Sequence, residues 1–100
     1  MDSKTRLLYW LLSASRGGPT RVRILGVLCR KPMNMRQLAL ATKLDYKTVQ
    51  GHVELLMENH VLETPRKKYG SVYFISPEWE DNEYLIELMR GNDDGKRKKG

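Results

Sequence analysis

Between Leu38 and Leu56 the chain reads LALATKLDYKTVQGHVELL, and its apolar residues fall on two helical stripes that break once, around Lys43–Asp45. A chain can stop one helix and start another within three residues only if the first closes in a tight turn and the second opens on a cap. Asn34 followed by Gln37 has the spacing of a capping box for the first helix, and Asp45 is a capping residue type for the second. Ala39 offers a small residue where the two helices cross, and Leu44 can plug the turn from below. Val49, Val53 and Leu56 return to a shared core at spacings of four and three. The pattern predicts a helix-turn-helix.

The flanks add elements of two kinds. Ser3 is the expected cap of a first helix running to about Ala14, with Leu7, Leu8, Trp10, Leu11 and Leu12 inside it. RGGP (Arg16–Pro19) should end that helix, with Gly17 or Gly18 in the left-handed stop. Thr20 then caps a helix to about Arg30, whose apolar face includes Val22, Leu25, Val27, Leu28 and Cys29, so that Cys29 reads as core. KPMN is a break. After His60 the period changes from 3.6 to 2: VLETPR and SVYFIS read as two strands around KKYG, with Gly70 at the turn and Pro65 marking an edge strand. Ser76 and Pro77 open a last helix through Tyr84, Leu85, Leu88 and Met89. The segment GNDDGKRKKG has nothing to bury and is expected to be disordered.

The fold class is therefore mainly α with a small β hairpin, a winged helix-turn-helix with extra N-terminal and C-terminal helices. The expected organisation is an N-terminal helix over 1–16, the winged domain over 19–76, a C-terminal helix over 77–90 and a basic tail over 91–100.

Charge is segregated along the chain. Residues 16–53 carry eight Lys or Arg against Asp45 alone, whereas residues 78–94 carry seven Asp or Glu against Arg90. The net charge is +6, and this placement suggests a positive working surface with the acidic segment held away from it. The second helix of the pair turns Tyr46, Lys47, Gln50 and Gly51 outward. An α-helix fits the major groove of B-DNA, where Gln can hydrogen-bond adenine and Lys can reach guanine or phosphate. These four are the candidate base-reading residues. Gly51 has a helix penalty of about 1 kcal/mol relative to Ala, which close approach to DNA would justify. Arg36, Lys43 and Thr48 are candidate backbone contacts, joined by Arg66, Lys67, Lys68 and Tyr69 at the tip of the hairpin.

Residues 20–76 resemble the winged-helix domains of bacterial and archaeal transcription regulators of the ArsR-like class. The resemblance rests on RILGVL, MRQLALATKLDYKTVQGHVELLMENHVLE and YGSVYFISPE, and RGGPTRVRIL is similar to short archaeal members in particular. It implies a homodimer that represses or modulates transcription by binding an operator, with TVQGHVELL in its recognition helix. Metal-sensing members carry paired cysteines in the preceding helix, which here reads MRQLALAT, so metal sensing by that route is not expected. His60 stands where the class usually has Gly and is expected to adopt a left-handed cap. His52 reads as a hydrogen-bonded structural histidine.

The terminal helices carry more apolar surface than the winged core can cover, which points to a dimer interface built from Leu7, Leu8, Trp10, Leu11, Trp79, Leu85, Leu88 and Met89. The competing function is a winged-helix protein-interaction module that does not bind specific DNA. No nucleophile elbow, Gly-rich phosphate loop or close His/Asp/Glu set points to an enzyme. No cofactor is implied and no residue demands a small-molecule effector. The single cysteine fits a reducing, cytoplasmic setting. The run LLYWLLSA after Lys4 and Arg6 is a weak signal-peptide pattern and is too short to span a membrane.

Overall fold

The computed structural model describes residues 2–66 and 70–99. Asp2, rather than Ser3, caps α1 (Ser3–Leu8), its carboxylate accepting the Thr5 N–H at 2.7 Å. From Tyr9 to Ala14 the helix widens into π geometry, and the Ser15 N–H reaches the Trp10 carbonyl at 3.1 Å, five residues back. This end of the helix buries Leu8, Leu11 and Leu12.

No left-handed glycine ends the first helix. Gly17 has φ −82° and precedes α2 (Gly18–Arg30), which starts two residues before the expected cap at Thr20 and takes Pro19 into its first turn. The glycine is needed for space instead. A Cβ on Gly18 would stand 2.4 Å from the Leu12 carbonyl oxygen. The helix packs Val22, Ile24, Leu25 and Leu28 into the core. Cys29 is exposed, contrary to its expected core position. It lies one residue past the buried stripe and lines a groove of about 740 Å³ that α2 shares with Phe74, Ile75, Ile86 and Met89.

KPMN holds a strand that the sequence pattern does not show. β1 (Met33–Asn34) pairs antiparallel with β3 (Val72–Ile75), Met33 opposite Tyr73 and Asn34 opposite Val72. β2 (Leu62–Glu63) flanks the other side of β3, Leu62 opposite Ile75 and Glu63 opposite Phe74. The order β1-β3-β2 puts β2 at an edge, as expected, and the strand ends two residues before Pro65. Gly70, with φ +87°, lies between β2 and β3.

α3 (Met35–Thr42) opens on the expected capping box: the Gln37 N–H donates to Asn34 Oδ1 at 2.8 Å, and the Asn34 N–H donates to Gln37 Oε1 at 2.9 Å. Lys43 then takes the left-handed conformation at φ 62°, and the Leu44 N–H closes back onto the Ala39 carbonyl at 3.2 Å. α4 (Tyr46–Glu58) follows from its Asp45 cap. It ends the same way: His60 has φ 62°, and the Val61 N–H reaches the Leu56 carbonyl at 2.9 Å. Two closing turns of one kind thus bound the second helix of the pair.

Pro77–Trp79 forms only a short 3-10 turn, and the expected continuous last helix is broken. The break seats the Trp79 indole in the core at 3% exposure, with its N–H donating to the His60 carbonyl at 2.9 Å. Lys4 lies over the Trp79 ring at 4.9 Å and pairs with Glu78 at 3.4 Å, which ties α1 to this turn. α5 (Glu83–Lys99) starts anew on Asn82, whose side chain accepts the Leu85 N–H at 3.0 Å. It continues past Arg90, where the sequence reading ends it. A helix nucleated over an anchored segment propagates at little further cost.

The core is continuous. Ile24 and Leu25 of α2, Leu38 of α3, Val49, Val53 and Leu56 of α4, and Val61 and Leu62 of the wing belong to one cluster with Leu8 and Leu11. The architecture is a winged helix-turn-helix carrying a helix at each end.

Candidate nucleic-acid interface

The turn at Lys43–Asp45 decides which face of α4 is free. Val49, Val53 and Leu56 point into the core and are at most 1% exposed. The opposite face presents Tyr46, Lys47 and Gly51 exposed, with Gln50 half-buried beside them. All four expected base-reading residues therefore share one open stretch of helix surface. No acidic residue occurs from Tyr46 to Val53, and Glu54 is the first beyond.

Gly51 is open in the literal sense: a Cβ built there meets nothing within 4 Å. Nothing among the described residues asks for a glycine at this position. Gly51→Ala is therefore expected to raise stability by about 0.8–1 kcal/mol through helix propensity. Thermal unfolding of the variant would show this as a higher midpoint. If it is also weaker on DNA while more stable, the missing side chain serves an external partner.

The helix start is more occupied than the sequence suggests. Asp45 Oδ2 accepts the Thr48 N–H at 3.3 Å, and the Thr48 hydroxyl donates to Asp45 Oδ1 at 2.5 Å. The hydroxyl first and then the N–H hold the Asp45 carboxyl below the usual carboxylate range. Thr48 was expected to offer these groups to a phosphate. Both are engaged within the cap, so that role is not available without displacing Asp45.

The cations divide into two groups. Arg36, Lys43, Lys47 and Arg66 are exposed, and Arg36 and Lys43 belong to α3 and the turn that lead into α4. Arg23 donates to the Thr42 carbonyl, bracing α2 against the end of α3. Arg21, counted in the sequence with the basic segment, is buried at 6% exposure and forms no part of a surface. Lys67, Lys68 and Tyr69 lie outside the described residues.

Two side chains near this face were not expected. Tyr73 of β3 is half-buried, and burial followed by the nearby Tyr46 and Glu54 pushes its phenol up from the ordinary tyrosine value. It thus stands near the side of α4 that carries Tyr46 and Glu54. His52 is hydrogen-bonded as expected, but its partner is Arg21, with Nη1 and Nδ1 3.1 Å apart. The alternation of β3 could have suggested Tyr73. No local signal identifies Arg21, because an arginine in an amphipathic helix ordinarily reads as solvated.

The proposed dimer residues also divide. Leu8, Leu11, Trp79 and Leu85 are at most 3% exposed within the single chain, so they are core and not interface. Their apparent surplus disappears once the π-helical turn and the break before α5 direct them inward. Leu7, Leu88 and Met89 are half-buried against the core, and Trp10 is 54% exposed beside Tyr9 at 47%. Tyr9 also lies against Tyr84 of α5, with ring centroids 6.5 Å apart.

Among the described residues no helix is long and apolar enough to cross a membrane, and no group of three or more His, Cys, Asp or Glu could hold a metal ion. The sequence matches no protein-family model, and no curated protein matches it. Solved structures do match in fold. The antimony-specific transcriptional repressor AntR is 21% identical, with a TM-score of 0.73 over 96% of this chain and 80% of its own. A homodimeric winged helix-turn-helix DNA-binding domain from Mycobacterium bovis, a possible ArsR-family regulator, is 17% identical, with a TM-score of 0.66 over 97% and 92%. The transcriptional repressor BigR from Xylella fastidiosa is 16% identical, with a TM-score of 0.64 over 85% and 76%. The fold is the winged helix-turn-helix of such regulators.

Proposed function

We propose that the chain is a transcription regulator, a repressor in its simplest mode, that binds specific double-stranded DNA as a homodimer in the cytoplasm. The observation that carries this reading is the free face of α4, where Tyr46, Lys47, Gln50 and Gly51 stand together with Arg36 and Lys43 nearby. That helix enters the major groove. Tyr46, Lys47 and Gln50 read base edges, and Gly51 lets the backbone approach. Arg66, Lys67, Lys68 and Tyr69 of the wing contact the sugar–phosphate backbone or the minor groove. The fold shared with two repressors and a homodimeric DNA-binding domain supports the same reading.

The dimer joins the exposed Tyr9 and Trp10 to the half-buried Leu7, Leu88 and Met89 along the two terminal helices. Two adjacent aromatics more than two-fifths exposed are an uncommon feature of a solvated surface and a common one of an interface. Two-fold symmetry then places the recognition helices on half-sites about 34 Å apart.

Selection of bound sequences from a random duplex pool tests specificity, half-site symmetry and spacing together. On the selected site, Gln50→Ala is expected to relax preference at one base pair, losing about 1–3 kcal/mol of discrimination there. Lys47→Ala should lower affinity and, where it meets phosphate, reduce the slope of log affinity against log salt by about 1. Enrichment of no sequence, with binding insensitive to salt, would instead identify a protein-interaction module. A monomer at high micromolar concentration in sedimentation would remove the dimer.

A further inference from the structure

Among the described residues Arg21 is the only charged side chain that is buried, and no carboxylate pairs with it. Burying an arginine without a counter-ion is costly unless its donors are all directed at acceptors. Here they are. Nε donates to the Leu11 carbonyl at 3.0 Å, Nη2 to the Ser15 hydroxyl at 2.5 Å, and Nη1 meets His52 Nδ1 at 3.1 Å.

The π-helical turn makes the first of these bonds possible. In an α-helix the Ser15 N–H would occupy the Leu11 carbonyl; here it is shifted to Trp10, and the Leu11 oxygen is left for the Ser15 hydroxyl and Arg21. The loop is shaped around the same group. A Cβ on Gly17 would stand 2.7 Å from Arg21 Nη1 and 2.8 Å from His52 Cε1. Because a guanidinium only donates, His52 Nδ1 must accept, which requires a neutral ring with its proton on Nε2.

We propose that Arg21 and His52 are a positioning pair that clamps the middle of the recognition helix to the π-helical end of the first helix. His52 follows Gln50 and Gly51 on α4, and the first helix carries Tyr9 and Trp10. The clamp therefore fixes where the base-facing residues stand relative to the dimer surface, an inference that rests on the DNA-binding reading for its consequence.

The pair also gives the clamp a dependence on pH. Protonating Nδ1 removes the acceptor and sets two cations against each other. Burial first, and then the charge of Arg21, which faces the ring from α2, hold His52 below the ordinary histidine value. The folded chain thus binds fewer protons than the unfolded one just below about pH 6.5. Stability and clamp are complete above that value and are lost as pH falls.

The test compares wild type with His52→Asn, whose side-chain oxygen can stand near Nδ1 and accept from Arg21 without titrating. Affinity for the selected duplex is measured at constant ionic strength from pH 8 to pH 5.5. Wild type is expected to lose affinity progressively below about pH 6.5, by an amount that rises toward about tenfold, the scale of one charged hydrogen bond, as His52 takes up its proton, while His52→Asn keeps a flat profile with His60 still present. Parallel losses in the two proteins overturn the proposal. An NMR titration of the wild-type chain without DNA decides the clamp independently. The amide resonances of Leu11–Ser15 should move with the ionisation of His52, and their failure to do so also overturns it. If those resonances move but no duplex binds at pH 8, the clamp stands and the regulator reading falls.

Discussion

Gly18→Ala is expected to destabilise the chain by about 3 kcal/mol, at the upper end of what overpacking usually costs. The new Cβ would lie 2.4 Å from the Leu12 carbonyl oxygen and 2.7 Å from its carbon. Both are backbone atoms, so no side chain can rotate away. Leu12 itself cannot retreat, because it and Leu11 are at most 3% exposed against the core. A loss of this size is a large share of the 5–15 kcal/mol that holds a typical domain folded. Denaturant unfolding would show it as a lower midpoint at unchanged slope. Gly26→Ala is the matched control in the same helix. It meets nothing within 4 Å and should gain about 0.8–1 kcal/mol. Equal effects of the two substitutions would mean that the first helix and α2 do not approach as described.

Leu56→Ala should cost about 2–5 kcal/mol. Leu56 is fully buried, and its carbonyl also receives the Val61 N–H that closes α4 into the wing. Removing the side chain opens a cavity between α4 and the strands, where neighbours are held by their own helices and can collapse only in part. Loss of DNA binding should follow loss of fold here, with no change of base preference in whatever fraction stays folded. Leu40→Ala is the contrast. Leu40 is 73% exposed and its truncation should stay within about 0.5 kcal/mol. Equilibrium unfolding of both variants separates a core leucine from a surface one that hydropathy cannot tell apart.

The helix-turn-helix was legible because its signals are local. The Asn34–Gln37 capping box, the Asp45 cap, and the turns at Lys43 and His60 each act within a few residues, and each is present as read. The outward face of α4 followed from the same information: once Val49, Val53 and Leu56 are assigned inward, helical geometry leaves Tyr46, Lys47, Gln50 and Gly51 on the other side. The wing turn at Gly70 belongs with these, since glycine admits a positive φ by itself.

Tertiary structure decided what depends on a second element. β1 is two residues long and exists because β3 supplies its partner. Cys29 and Leu28 are equally apolar in sequence, yet only Leu28 finds a neighbouring element to cover it. Half of the residues read as a dimer face were core, because a π-helical turn and the break after Trp79 rotated them inward. Arg21 reversed from surface charge to buried anchor when the Leu11 carbonyl, Ser15 and His52 converged on it from two other helices. A cap or a turn is specified by neighbours along the chain, whereas burial is specified by whatever packs across from a residue, and that is fixed only when the whole fold closes.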